Sequence, residues 1–277
     1  MISRKATLYL VGLGLSAGNI TVEALDLIKK VDSIFLETYT SKAPGDLINR
    51  IMEIRSDTRS VTRRDLEDRE GEALINELSK GHDVALLVIG DPMIATTHAA
   101  LAVTVKRRGF NVRVVNSVSI ICALLNQLGL SPYKLGLMAT ITYPRMGVLS
   151  MRAYDVLLDN LRRGLHTILL LDIRDDGGFM DVKDAANILI RMENNRGLGV
   201  INEKLLVIYA ARIGWEDQEI VGSTIKAVPN LGDPPHTIVI PGILNPVEID
   251  YLVHVIGINN DLVLNHMKFV EEFTRRT

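Results

Sequence analysis

The chain has 277 residues, 47% of them apolar, and a formal charge of −2 from 31 basic and 33 acidic side chains. That is enough apolar sequence for one large core or two medium ones. The signs are interspersed, without the cationic stripe that would mark nucleic acid as the main ligand, and no stretch nears the ~18 uninterrupted apolar residues of a membrane helix.

Residues 1–6 pass straight into strand-like sequence without the longer apolar segment of a secretory signal, which sets the expectation of a cytoplasmic protein. The first half then alternates strand and helix with short joins, the pattern of parallel strands with helical crossovers. A strand over 7–11 leads into Gly12-Leu13-Gly14 and a helix from about 21 to 30. A strand over 33–39 precedes a helix over 44–54, and a further helix over 70–80 ends at Gly81. Residues 83–89, Asp-Val-Ala-Leu-Leu-Val-Ile, are too uniformly apolar to leave one face wet, so helices should cover both sides of that strand.

Gly90-Asp91-Pro92-Met93-Ile94-Ala95-Thr96-Thr97-His98 follows this strand, in the place where α/β enzymes keep ligands. Gly90 allows close backbone approach, and Asp91-Pro92 reads as the N-cap and first residue of a helix that would run over 93–108 and close on Gly109. Residues 111–115 alternate only partly, as a strand near a sheet edge does.

From 119 the pattern changes. An apolar helix over 119–128 is broken by Gly129-Leu130-Ser131-Pro132, and a strand near 137–142 begins a second body. The only cysteine, Cys122, excludes an internal disulfide or a thiolate metal cluster; within Ile120-Ile121-Cys122-Ala123-Leu124-Leu125 it is expected as a buried, inert thiol. Helices over 154–163 and 183–192 alternate with strands over 167–173 and 204–210, and two more strands follow at 219–226 and 237–240 with no helix between them. Strands joined in that way are typically antiparallel, so the second sheet should be mixed. The expected organisation is an N-terminal α/β domain over 1–116, a connecting helix and linker over 117–135, and a C-terminal α/β domain over 136–277.

Two turns invite chemistry. Gly12-Leu13-Gly14-Leu15-Ser16-Ala17-Gly18, with Glu37 at the end of the next strand, suggests a nicotinamide dinucleotide site and an oxidoreductase. Its Gly-x-Gly-x-x-x-Gly spacing is one residue too long for the dinucleotide fingerprint, and Glu37 reads rather as a solvated strand-end carboxylate. In Gly232-Asp233-Pro234-Pro235-His236 the prolines stiffen the approach of a histidine that either faces a ligand or bonds a nearby carbonyl. Asp172 and Arg212 stand at other strand ends, as ligand groups or as structural bonds. No phosphate loop, nucleophile elbow or His-Glu-x-x-His motif occurs, and the six histidines lack metal-like pair spacing.

Taken together, Tyr9-Leu10-Val11-Gly12-Leu13-Gly14-Leu15, the Gly90–His98 segment, residues 164–173 and Gly232-Asp233-Pro234-Pro235-His236 resemble the diphthine synthase family, within the wider class of two-domain tetrapyrrole-methylase-like methyltransferases. Glu37-Thr38-Tyr39-Thr40-Ser41 and Pro241-Gly242 match as well. The resemblance implies two α/β domains with a cofactor cleft between them and S-adenosyl-L-methionine as cofactor, released as S-adenosyl-L-homocysteine. The expected substrate is the amino group of a modified histidine on translation elongation factor two, and two chains should pair as a homodimer. By matching motifs the cofactor would be held by Leu15, Asp91, Ile94, Ser119, Ile120, Leu171, Ala211 and His236, with no metal and no assigned catalytic side chain. Methylation of a small macrocyclic substrate is the alternative within the same fold. Ser16-Ala17-Gly18-Asn19 and residues 143–151 depart from the family pattern, which touches protein-substrate contact more than the cofactor site.

Overall fold

A computed structural model describes residues 5–174 and 176–275. The chain divides into two compact units, Met1–Cys122 and Ala123–Thr277.

In the first unit β1 (Thr7–Gly12), α1 (Val22–Lys30), β2 (Ser33–Glu37), α2 (Gly45–Ile54), β3 (Arg59–Val61), α3 (Glu72–Ser79), β4 (Val84–Val88), α4 (His98–Arg107) and β5 (Asn111–Val115) follow in order. The five strands form one sheet in the order β3-β2-β4-β1-β5, and every pairing is parallel. β4 lies at the centre and all five of its residues are buried, as its unbroken apolar run predicts. Its side chains alternate between two cores. Val84, Leu86 and Val88 join Leu8 and Leu10 against α3 and α4, while Ala85, Leu87 and Ile89 join Val11, Ile34 and Leu36 against α1 and α2. The Thr21 hydroxyl accepts from the Ala24 amide at 3.1 Å and caps α1. β5, the partly alternating strand, is an edge as expected. β3 is not visible in the sequence pattern because its three residues, Arg59, Ser60 and Val61, carry only one buried side chain.

α5 (Ile120–Leu128) runs across the division between the units. Its Ile121, Leu124, Leu125 and Leu128 are buried, at the i, i+3, i+4, i+7 spacing of one helix face. Cys122 falls outside that stripe and is exposed, which overturns the expectation of a buried thiol: an apolar run becomes one-sided once it is wound into a helix.

The second unit contains β6 (Ala139–Ile141), α6 (Arg152–Arg162), β7 (Thr167–Leu171), α7 (Val182–Arg196), β8 (Val207–Ala211), β9 (Glu219–Ser223), β10 (His236–Ile240), α8 (Pro246–Asp250) and α9 (Asn260–Arg275). The sheet order is β6-β7-β10-β8-β9. Only β6 and β7 are parallel; β10 is antiparallel to β7 and β8, and β9 to β8. The sheet is therefore mixed, but β9 and β10, neighbours in sequence, both pair with β8 rather than with each other. α7 outruns its expected end by four residues to Arg196, capped at its start by Asp181, whose carboxylate accepts from the Asp184 amide at 2.8 Å. α8 and α9 add to the expected elements, although Asn245-Pro246-Val247-Glu248 is a capping box and Val263, Met267 and Val270 lie buried along one face of α9.

Candidate functional site

β1 and β4 are neighbours, yet β1 is followed in the chain by β2 on one side of the pair and β4 by β5 on the other. Such a reversal opens a crevice beyond the carboxyl ends of the strands, where open α/β sheets bind ligands. The two glycine turns stand there. Leu13 donates to the Val88 carbonyl at 2.9 Å, Gly14 to Gly90 at 3.1 Å, and Gly90 back to Gly14 at 2.8 Å. A Cβ on Gly12 would sit 2.7 Å from the Gly90 oxygen and 2.8 Å from Ser117 Cβ, so only glycine permits the approach. Gly90 has φ +81 and meets nothing closer than 3.9 Å on its Cβ side, so the face of its α-carbon is clear of other protein atoms while its N–H and C=O are both bonded to Gly14.

Asp91 is buried, and both its oxygens are engaged. Oδ1 accepts from the Met93 amide at 2.9 Å, and Oδ2 from Asn116 Nδ2 and the Ser117 amide, each at 3.1 Å. The carboxylate thus ties the turn after β4 to the turn after β5, where Ser119 and Ile120 open α5. Ser119 is buried, and its hydroxyl accepts from the Cys122 amide at 3.3 Å. Leu15 is buried with its amide on Asn19 Oδ1 at 3.2 Å, whereas Ile94 is 43% exposed. The structure brings these five expected residues of the first unit to one end of the sheet. The expected helix start is corrected: α4 begins at His98, and Asp91 caps a tight turn. The Pro92 carbonyl accepts from the Thr96 hydroxyl at 2.7 Å and from His98 Nδ1 at 2.9 Å, which holds the segment away from helical geometry.

Glu37 is not a solvated carboxylate; it is 1% exposed. It accepts from the Tyr39 amide at 2.5 Å, the Thr40 amide at 2.6 Å and the Thr40 hydroxyl, because residues 38–40 curl back over the strand end. Both oxygens are engaged and the carboxylate is closed off from solvent, out of reach of a ribose. Gly18 is exposed, and a Cβ placed on it would meet nothing within 4 Å, so it makes no helix–strand contact of the kind the third fingerprint glycine provides. Beside this loop, burial pushes the Tyr39 phenol up to about 12.

In the second unit Ala211 ends β8, Leu171 ends β7 and His236 begins the antiparallel β10. His236 pairs with Ala211, and the Leu170–Thr237 pair places Leu171 one step along, opposite His236. These three expected residues therefore share one end of the sheet. His236 is 6% exposed and neither ring nitrogen has a partner at normal hydrogen-bond geometry, although the Asp233 carbonyl lies near enough to favour the charged ring slightly. The Asp233 carbonyl is taken by Arg212 Nη1 at 2.6 Å; the same nitrogen holds the Leu231 carbonyl at 2.7 Å, and Nη2 the Asp217 carbonyl at 3.1 Å. Burial, reinforced by the Arg212 cation, lowers the imidazole pKa and keeps the ring neutral. Asp172 also bonds locally, accepting from the Tyr143 amide at 3.0 Å. Among the described residues no three His, Cys, Asp or Glu side chains gather as metal ligands, and no helix is long and apolar enough to cross a membrane.

Residues 7–229 match the family described as Tetrapyrrole (Corrin/Porphyrin) Methylases. The parallel sheet, the mixed sheet and the glycine turns are those of a methylase of this class. A diphthine synthase of Pyrobaculum islandicum is 42% identical over 240 residues, covering 87% of this chain and 96% of the relative, and one of Sulfurisphaera tokodaii is 40% identical over 85% of this chain and 92% of the relative. A solved diphthine synthase superposes with TM-score 0.82 at 28% identity over 93% of this chain and 98% of that one. The chain belongs to the diphthine synthase family and is a methyltransferase of diphthamide biosynthesis.

Proposed function

We propose that the chain transfers methyl groups from S-adenosyl-L-methionine to the amino group of the modified histidine on translation elongation factor two. The cofactor is held by Leu15, Asp91, Ile94, Ser119, Ile120, Leu171, Ala211 and His236. The observation that carries this reading is His236, a buried imidazole with both nitrogens unsatisfied. Such an omission costs roughly 1–3 kcal/mol for each buried polar group, and a bound ligand with polar ends removes the cost. The clear α-carbon face of Gly90 and the exposed Ile94 side chain fit the same amphipathic ligand.

The bound sulfonium supplies a methyl group that is already activated. The protein's task is then to align the amine, exclude water and hold polar groups in fixed directions. Asp91 serves this by fixing two turns through three accepted hydrogen bonds, an orienting role rather than base chemistry. Neutral His236 offers one donor and one acceptor without adding a charge. Two copies pair as a homodimer. The reading includes a cytoplasmic location and no nucleic-acid or membrane partner.

Calorimetry with S-adenosyl-L-homocysteine and with NAD tests the cofactor. Binding of the former alone is expected, and binding of NAD alone overturns the reading. Labelled methyl transfer to elongation factor two bearing the modified histidine separates an enzyme from a binding protein. Asp91→Ala should weaken homocysteine-product binding at least tenfold, equivalent to about 1.4 kcal/mol; unchanged affinity removes Asp91 from the site.

A further inference from the structure

Residues 92–97 are irregular although Asp91-Pro92 begins as helices begin. In a helix started at Pro92, its carbonyl would accept from the amide of Thr96. That carbonyl instead accepts from the Thr96 hydroxyl and from His98 Nδ1, so both of its lone pairs are filled by side chains. A carbonyl only accepts, hence Nδ1 carries the hydrogen. His98 is 1% exposed, and its Nε2 makes no hydrogen bond and lies 4.0 Å from Glu37 Oε2. Glu37 is in turn pinned by the Tyr39 and Thr40 amides. The ring is therefore held through Nδ1, with Nε2 buried beside Glu37 but not bonded to it. In the middle of the segment Ala95 adopts φ +57, a conformation that residues with a Cβ enter at a cost. Met93 and Ile94 stay 38% and 43% exposed. Backbone strain of this kind persists where surroundings over-determine it, and it concentrates at ligand sites.

We propose that His98 and Thr96 are positioning residues that hold 92–97 out of helix α4, so that the turn from Gly90 to Ile94 keeps the shape that receives the cofactor. This inference rests on the cofactor site proposed above. The two side chains act through the Pro92 carbonyl and contact neither cofactor nor substrate. Removing them lets α4 extend toward Pro92, which withdraws Ile94 and the Gly90 turn from the ligand while replacing two side-chain hydrogen bonds with helical ones.

The test uses the full chain, with S-adenosyl-L-homocysteine affinity by calorimetry, melting temperature, and amide exchange across 94–98. The pair Thr96→Val with His98→Leu should weaken binding at least tenfold, leave the melting temperature unchanged or higher, and slow amide exchange at 96–97 as the helix grows. His98→Asn, which keeps a donor near the position of Nδ1, should stay within about threefold of the parent. Should the double variant fold poorly, Ala95 carries the same question. Ala95→Gly accepts φ +57 freely and should keep its affinity, whereas Ala95→Pro fixes φ near −65° and should lose it at least tenfold. Affinity and melting temperature falling together, with no gain in protection, would mean a structural role only and overturn the proposal; so would unchanged affinity in the double variant or in Ala95→Pro. Asp91→Ala is run alongside: if it alone leaves affinity intact, the site assignment has failed, and if it weakens binding while the Thr96, His98 and Ala95 variants do not, the positioning inference has.

Discussion

His266 should make the second unit sensitive to mild acid. The ring is fully buried in α9, where Nδ1 accepts from the Leu206 amide at 3.1 Å and Nε2 donates to the Pro241 carbonyl at 3.0 Å. Both nitrogens are satisfied only in the neutral form, since a proton on Nδ1 would face the Leu206 N–H. Burial accordingly lowers the imidazole from 6.5 to about 4, with buried His166 adding a smaller push in the same direction. The folded pKa lies below the unfolded one, so the contribution is fully present above pH 6.5 and is lost as pH falls from 6.5 toward 4. At 1.36 kcal/mol per unit the full shift corresponds to about 3 kcal/mol, and roughly 2 kcal/mol should be gone by pH 5. Urea unfolding followed by the single tryptophan, Trp215, reports on this unit. His266→Asn keeps an acceptor near the Leu206 amide but cannot titrate. It should be less stable than the parent at pH 7.5, and that deficit should shrink by about 2 kcal/mol at pH 5. Parallel pH profiles for parent and variant would refute the reasoning.

Two further outcomes follow from particular contacts. Gly12→Ala puts a Cβ within 2.8 Å of the Gly90 oxygen and Ser117 Cβ, so it should cost about 1–3 kcal/mol in denaturant unfolding and weaken cofactor binding; Gly18→Ala, with open space around it, serves as the neutral control, and equal effects of the two would contradict the close approach of the turns. Exposed Cys122 should be modified by an aromatic disulfide reagent in native buffer with one thiol counted per chain, and silence until denaturant is added would show that the helix face is covered.

Much of the fold was legible because its signals are local. The unbroken apolar run of β4 gave a central strand, Thr21 gave the start of α1, and the lack of a helix between β8 and β9 gave a mixed sheet, whereas β9 and β10, also joined without a helix, run in the same direction on either side of β8. The misses share a different cause. Asp91-Pro92 has the composition of a helix start, but whether the Pro92 carbonyl goes to a backbone amide or to the Thr96 and His98 side chains depends on where the fold buries the imidazole. Glu37 looked solvated because nothing in its own sequence reveals that residues 38–40 fold back over it. Cys122 looked buried because an apolar run was read without its helical face. α8 and α9 were legible after all, through the Asn245-to-Glu248 capping box and the apolar spacing along α9.

The sequence by itself determined most of the elements, the two glycine turns and the family, because propensity, periodicity and motif order act within a few residues or survive as text. Only the tertiary structure decided which strand ends adjoin, that Asp91 joins the β4 and β5 turns, and that the His236 ring stands buried with neither nitrogen in a well-formed hydrogen bond. Those facts depend on strand order and register, which bring together residues far apart in the chain, and on the exclusion of water, which makes an unpaired polar atom costly.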